Sequence, residues 1–337
     1  MTKRLLSALL ALPFLAAACA APTDDAATAQ DEASETAGAC EALSPRTTPL
    51  ELFVQPDVGA APFEQIIGRA TTSIDVMVYQ MGFGPVLDGL IAKARAGVHV
   101  RVILDLAQER VNKKYKEKLE EAGATVIWSD PRFTFMHAKV IMVDGREALL
   151  STGNYHQSYM MRERNFAVLD RDADDLASLK EIFEADFARQ TPDVSCTRLV
   201  VAPVNARARL LELIRSARTS IEVESMQLGD RDVRSALVER KTAGVDVRVL
   251  LADPSWIDAN AGAAEFLHQH GITPRWYPHV HVKTIMVDGR AAYVGSVNIS
   301  WNSIDRNREI GVVATEPANL AAARATFEHD WAAATPF

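Results

Sequence analysis

A chain of 337 residues with 48% hydrophobic and 24% charged side chains has the composition of a folded, soluble protein, long enough for one large domain or two ordinary ones. Its net charge of −8 is unevenly placed: residues 1–18 carry +2, residues 19–45 carry −6, and the remaining body carries −4. Such a body lacks the electrostatic footprint of a general nucleic-acid binder, although it can still contain a local basic cleft.

Lys3 and Arg4 precede an uncharged run from Leu5 to Ala18. The run is too short to span a bilayer, which takes ~20 apolar residues. It suits the apolar part of an export signal, residues 1–18. Its end, Leu15-Ala16-Ala17-Ala18-Cys19, resembles the lipobox of bacterial lipoproteins, with the leucine one place further from the cysteine than usual. The expectation is an exported protein of the cell envelope or periplasm, lipid-anchored at Cys19. Cleavage after Ala16-Ala17-Ala18, followed by secretion, is the alternative. Residues 19–45 hold almost no large apolar side chain and read as a flexible acidic tether. In an oxidising compartment Cys40 and Cys196 are candidates for a disulfide pinning that tether to the middle of the chain. Two unpaired thiols are the other reading.

The body repeats itself. Ser73-Ile74-Asp75-Val76 recurs as Ser220-Ile221-Glu222-Val223, and Ala96-Gly97-Val98 recurs as Ala243-Gly244-Val245. Each copy predicts a helix (63–70; 207–217), a strand (74–79; 221–225), a second helix (85–96; 233–243) and a second strand (98–104; 245–251). Strands alternating with helices, and near-continuous Val, Ile and Leu runs, predict an α/β fold whose sheets are covered on both faces. The halves are expected at 46–190 and 206–337, joined by a linker at 191–205 that carries Pro192 and Pro203.

Each half ends in a hairpin pattern. Residues 135–143 predict a strand, Asp144-Gly145-Arg146 a turn and 147–152 the return strand; Asp288-Gly289-Arg290 repeats the turn. With a two-residue loop, period-two alternation puts His137, Lys139, Thr152 and Asn154 on one face, and likewise His281, Lys283, Ser296 and Asn298. A three-residue loop spoils that grouping. A polar cluster at the end of an apolar strand, repeated at the same spacing, is hard to attribute to packing.

His-x-Lys, four residues, Asp, six residues, Gly-Ser-x-Asn resembles the signature of the phospholipase D superfamily. The second copy matches through His281, Lys283, Asp288, Gly295, Ser296 and Asn298. The first matches through His137, Lys139, Asp144 and Asn154, with Ser151-Thr152 in place of Gly-Ser. Glu309 resembles the family's trailing acidic residue, and Asn165 stands at the matching position of the first half. The resemblance covers roughly 46–337 and implies two similar α/β/α sandwich halves with mostly parallel mixed sheets, related by a pseudo-twofold axis.

Cleaving a phosphodiester requires neutralising its oxygens, supplying a nucleophile and protonating the leaving alkoxide. Lys139, Lys283, Asn154 and Asn298 suit the first task. One neutral histidine can attack phosphorus and become phosphohistidine while the other, protonated, gives up its proton. Analogy with the family makes His137 the nucleophile and His281 the acid, with Glu309 orienting one of them; Asn165 cannot hold the other as an anion would. Asp144 and Asp288 lie about seven strand residues, or ~23 Å, from the histidines and read as turn-forming. No cofactor or metal is implied, because lysines beside the histidines oppose cation binding. The expected activity is metal-independent hydrolysis or transphosphatidylation of phospholipids at a membrane surface. A nuclease of the same superfamily, and a non-catalytic envelope-binding module, are the alternatives. The duplication makes a monomer sufficient.

Overall fold

A computed structural model describes residues 40–337; the expected signal 1–18, Cys19 and the tether to residue 39 lie outside the described residues. The first half runs β1 (Glu51–Gln55), α1 (Ala61–Arg69), β2 (Ser73–Val78), α2 (Pro85–Arg95), β3 (His99–Leu104), α3 (Glu109–Glu121), β4 (Thr125–Trp128), β5 (Lys139–Val143), β6 (Glu147–Ser151), α4 (Gln157–Met160), β7 (Asn165–Asp170) and α5 (Ala173–Phe187). The second half runs β8 (Val200–Ala202), α6 (Ala206–Arg215), β9 (Ser220–Ser225), α7 (Arg231–Thr242), β10 (Asp246–Leu251), α8 (Ala259–Gln269), β11 (Arg275–Trp276), β12 (Lys283–Val287), β13 (Ala291–Gly295), α9 (Trp301–Asp305), β14 (Glu309–Ala314), α10 (Pro317–Ala333) and β15 (Thr335–Pro336).

The helices form where sequence chemistry asks for them. Pro62 and Pro85 open α1 and α2, where a missing N–H costs nothing, and Phe63, Ile66 and Ile67 bury one face of α1. The Asp230 carboxylate accepts from the backbone N–H groups of Asp232 and Val233 and caps α7. Gly97 (φ 87°) and Gly244 (φ 89°) follow the last turns of α2 and α7 in the left-handed region, which explains the recurring Ala-Gly-Val.

The sheets are ordered β1-β7-β6-β5-β2-β3-β4 and β15-β11-β10-β9-β12-β13-β14-β8. Both are mixed, and antiparallel pairs outnumber parallel ones, which corrects the expectation of mostly parallel sheets. Parallel pairing is confined to β2-β3-β4 and β9-β10-β11. The hairpins β5–β6 and β12–β13 and the strands beyond them extend each sheet antiparallel, yet remain buried on both faces, so their apolar runs look like parallel strands. Seven strands were not anticipated: β1, β4 and β7 in the first half and β8, β11, β14 and β15 in the second. β1 pairs with β7, and β8 pairs with β14 inside the stretch read as a linker.

Helices α1, α2 and α3 cover the outer face of the first sheet, where Phe63, Leu90 and Leu119 meet Ile141 and Leu149. Helices α6, α7 and α8 do the same for the second, through Leu210, Leu237 and Leu267. The inner faces share one core. Met142, Leu150 and Val168 of the first sheet and Met286, Val294 and Val312 of the second close on Phe183 of α5 and Phe327 of α10. Cys40 and Cys196 form a disulfide, tying the chain before β1 to the segment between the halves. Among the described residues no helix is long and apolar enough to cross a membrane.

Candidate active site

The hairpin register differs from the expected one. Val143 pairs with Glu147, so three residues separate β5 from β6. Arg146 N–H donates to Val143 O (3.0 Å) across Asp144 (φ 53°) and Gly145 (φ 63°), both left-handed. Lys139 therefore aligns with Ser151, and strict alternation does not gather the predicted residues. Residues 135–138 are also not strand. Their backbone leaves the sheet for the other half: His137 N–H and Ala138 N–H donate to Arg308 O (2.8 and 2.9 Å), and Arg308 N–H donates to Phe135 O (2.9 Å). The second half answers symmetrically, with His281 N–H donating to Arg164 O (3.0 Å) and Arg164 N–H to His279 O (3.0 Å).

These crossings are stapled by side chains. Arg308 Nε and Nη2 donate to both oxygens of Asp186 on α5 (2.7 and 2.9 Å). Arg164 Nε and Nη2 donate to both oxygens of Asp330 on α10 (2.5 and 2.9 Å). Each arginine from one half is clamped by a carboxylate of the other, bidentate and buried.

The result is one cavity of about 580 Å³ lined by His137 and Asn154 from the first half and His281 and Asn298 from the second. Thr152 is not beside His137. Its hydroxyl donates to Asn165 Oδ1 (2.9 Å) and accepts from Phe166 N–H, closing the end of β6 against β7. Ser296 plays the same part against Ile310. The departure from Gly-Ser in the first half has a steric reason. A Cβ on Gly295 would meet the Tyr293 hydroxyl and Gly311 Cα at 2.5 Å, whereas Leu149 and Ala167 stand at the corresponding places and leave room for Ser151. Asp144 and Asp288 latch each turn to the strand opening β2 or β9. Asp144 accepts from the N–H groups of Thr71, Thr72 and Ser73, and Asp288 from those of Arg218, Thr219 and Ser220.

The histidines have unlike partners. Glu309 Oε2 is 2.8 Å from His137 Nδ1, and Glu309 Oε1 is occupied by Asn307 (3.0 Å) and the Ser303 hydroxyl. His281 Nδ1 instead meets the neutral Asn165 Oδ1 at 2.8 Å. Asn165 Nδ2 donates to Glu163 Oε2 (3.4 Å), and that oxygen lies 3.8 Å from His281 Nδ1. Asn165 thus supports its histidine through an amide, with a carboxylate one step further out. Sequence reasoning missed Glu163, though a signal existed. Asn307-Arg308-Glu309 and Glu163-Arg164-Asn165 are the same triplet with acid and amide exchanged.

Electrostatics follow this layout. Burial lowers the His137 imidazole to about 4, against the upward pull of Glu309. Burial, then Lys283 and Lys139, hold His281 well below the ordinary histidine value. Burial lowers Lys139 to about 7 and holds Lys283 well below a free ammonium. Burial alone would raise Glu309, but His137 and Lys139 outweigh it and keep it below the usual carboxylate range. Burial raises Glu163. Lys283 Nζ stands 3.2 and 3.4 Å from the His281 ring nitrogens, and both lysines donate to the backbone carbonyl of the histidine two residues earlier. Asn154 Oδ1 and Asn298 Oδ1 are buried without a protein partner, the usual mark of a polar ligand site. Tyr79 adds its ring edge to His137 (centroids 4.7 Å apart), and Asp105, raised by burial to about 6, accepts from Met136 N–H. Among the described residues no group of three His, Cys, Asp or Glu is arranged to hold a metal ion.

The structure is a duplicated α/β fold that brings two His-x-Lys segments onto one cavity. The family model of the cardiolipin synthase, phospholipase D-like domain matches residues 63–187 and 210–331, and the chain belongs to this family and so to the phospholipase D superfamily of enzymes. The polyphosphate kinase of Vibrio vulnificus (strain YJ016) is 25% identical over 259 residues, covering 71% of this chain and 37% of the relative. The cardiolipin synthase of Alkalihalophilus pseudofirmus is 27% identical over 268 residues, covering 66% of this chain and 53% of the relative. The chain thus spans only 37–53% of the length of these curated relatives. The crystal structure of phosphatidylserine synthase from Haemophilus influenzae Rd KW20 superposes with a TM-score of 0.70 at 12% identity, covering 91% of each chain, a likeness of fold.

Proposed function

We propose that the protein is a phosphodiesterase acting through a phosphohistidine, hydrolysing phospholipids or transferring their phosphatidyl group to an alcohol. The supporting observation is the pair of imidazoles on one cavity with partners of opposite kind. Nδ1–H of neutral His137 donates to Glu309 Oε2, which leaves the Nε2 lone pair for attack on phosphorus. The P–N bond forms as the bond to the leaving oxygen breaks, and the positive charge gathering on the ring faces Glu309. His281 gives its proton to the leaving oxygen. Its amide partner offers no charge to the imidazolium, so the protonated ring is a strong acid. Water or an alcohol then attacks phosphorus, losing its proton to His281, while the P–N bond breaks. Lys139, Lys283, Asn154 and Asn298 hold the non-bridging oxygens.

The pH dependence follows with its sign. His137 works as the neutral nucleophile and is neutral above about 4; Lys139 works as the cation and loses its charge as pH rises through about 7. His281 takes up its proton as the anionic phosphate enters, which also favours lower pH. The expected kcat/KM profile rises through the lower value, peaks between the two and is already falling at neutral pH. A profile still rising above pH 8 would contradict these assignments.

Purified protein offered phosphatidylcholine and ethanol, with a chelator present, is expected to form phosphatidylethanol. Quenching in alkaline denaturant during turnover of a phosphorus-labelled diester should trap base-stable, acid-labile label on His137. Shortening of single-stranded DNA with no lipid product would move the substrate to nucleic acid. Folded protein inert toward both would leave the binding module.

A further inference from the structure

Eight large apolar side chains are exposed among the described residues, and half of them, Phe83, Met161, Trp256 and Trp301, between 43% and 56% exposed, lie in or close in sequence to segments that line the cavity. Trp256 forms part of the cavity wall, and Trp301 stands between Ser300 and Asn302, which also line it. Met161 lies between the lining residues Tyr159 and Glu163. Phe83 closes the loop after β2, where its carbonyl accepts from Gln157 N–H at the start of α4. Each sits beside an exposed cation. Lys114 Nζ lies 4.9 Å from the Phe83 ring centroid, and the Arg306 guanidinium 5.6 Å from that of Trp301. Arg162 follows Met161 and shares a side cleft with Trp256. Of the acids nearby, Asp305 is bound by Arg207 (2.6 Å), Glu163 accepts from Asn165, and Asp253, in the side cleft with Arg162 and Trp256, accepts from Ser255 N–H (2.8 Å).

Packing does not explain large rings left in water beside a polar cavity, and apolar side chains interleaved with cations are the chemistry of the lipid–water interface. We propose that this rim is a membrane-docking surface that seats on a bilayer carrying anionic headgroups. Trp256, Trp301, Phe83 and Met161 enter the boundary between headgroups and acyl chains, while Lys114, Arg162 and Arg306 meet headgroup phosphates. The charge argument selects an anionic surface, because the body as a whole is acidic and its cations at this face stand free of ion pairs with carboxylates. The proposal rests on the phospholipid reading of the site. It adds that the cavity is presented to the substrate in the plane of the membrane rather than to dispersed lipid.

The test uses the full chain carrying Cys19→Ser, so that no acyl anchor contributes, and a companion carrying Phe83→Ser and Trp301→Ser as well. Co-sedimentation with vesicles of phosphatidylcholine and phosphatidylglycerol should show binding that weakens with salt, and the companion should bind at least about tenfold more weakly. Turnover of the monomeric diester bis-p-nitrophenyl phosphate should be the same in both chains, which also reports that the companion is folded. Equal vesicle binding by the two chains, or indifference to anionic lipid, overturns the proposal. So does rim-dependent binding to single-stranded DNA in place of vesicles, which would assign the surface to nucleic acid. Diester turnover without vesicle binding removes the docking surface and leaves the chemistry standing. Vesicle binding without any lipid product keeps the surface and removes the phospholipid substrate.

Discussion

Alanine at His137 or at His281 is expected to lower turnover of a phosphodiester by at least about 10³-fold, with the melting transition nearly unchanged. The backbone N–H that pins each segment to the other half is retained by alanine, and Glu309 keeps its bonds from Asn307 and the Ser303 hydroxyl when the His137 ring is removed. The double variant should be hardly worse than either single one, since the two rings serve a single displacement. Glu309→Gln keeps a hydrogen-bond acceptor but removes the charge facing the phosphorylated ring, and a loss on the order of 10²-fold is expected. Steady-state rates on a soluble diester decide the matter. A single histidine variant retaining more than about a tenth of wild-type turnover is incompatible with one centre built from both halves.

Asp186→Ala is expected to cost about 3–5 kcal/mol in urea unfolding and to depress activity as well. The change strands the Arg308 guanidinium, 2% exposed in its side chain, with Ala202 O (3.1 Å) as its remaining acceptor. Arg132, at 3.4 Å from Asp186, is half-exposed and can turn to water. The loss reaches the chemistry because Arg308 O carries the N–H groups of His137 and Ala138. Pairing Asp186→Leu with Arg308→Met should recover much of the stability, because it removes the stranded charge along with its partner. A loss under about 1 kcal/mol for Asp186→Ala would mean that the staple carries little of the contact between the halves.

What was legible in the sequence is local. Two strands, two helices and a hairpin per half were visible because Val, Ile and Leu runs and Gly-punctuated turns act over a few residues, and their recurrence made each copy support the other. The motif residues were visible for the same reason. What lay hidden is long-range or hangs on a single residue. The turn at Asp144-Gly145-Arg146 takes one residue more than a tight hairpin, which shifts the register and shows that loops, not strand alternation, bring Asn154 to His137. Strands β1 and β8 are short and find their partners 110–118 positions away (Gln55 with Asn165, Glu51 with Leu169) and 107–111 positions away (Ala202 with Glu309, Val200 with Gly311), beyond any local pattern. The Arg–Asp staples span 122 and 166 positions.

The crossed bracing has a consequence for the order in which the chain becomes reactive. The carboxylate that readies His137 arrives 172 positions after it, and the helix that fixes Arg164, and through it His281, is the last in the chain. A nascent or truncated chain holding the complete first motif lacks the carboxylate partner of His137. The two histidine segments are both braced only once α10 has docked, so the cavity takes its final form at the last step of assembly.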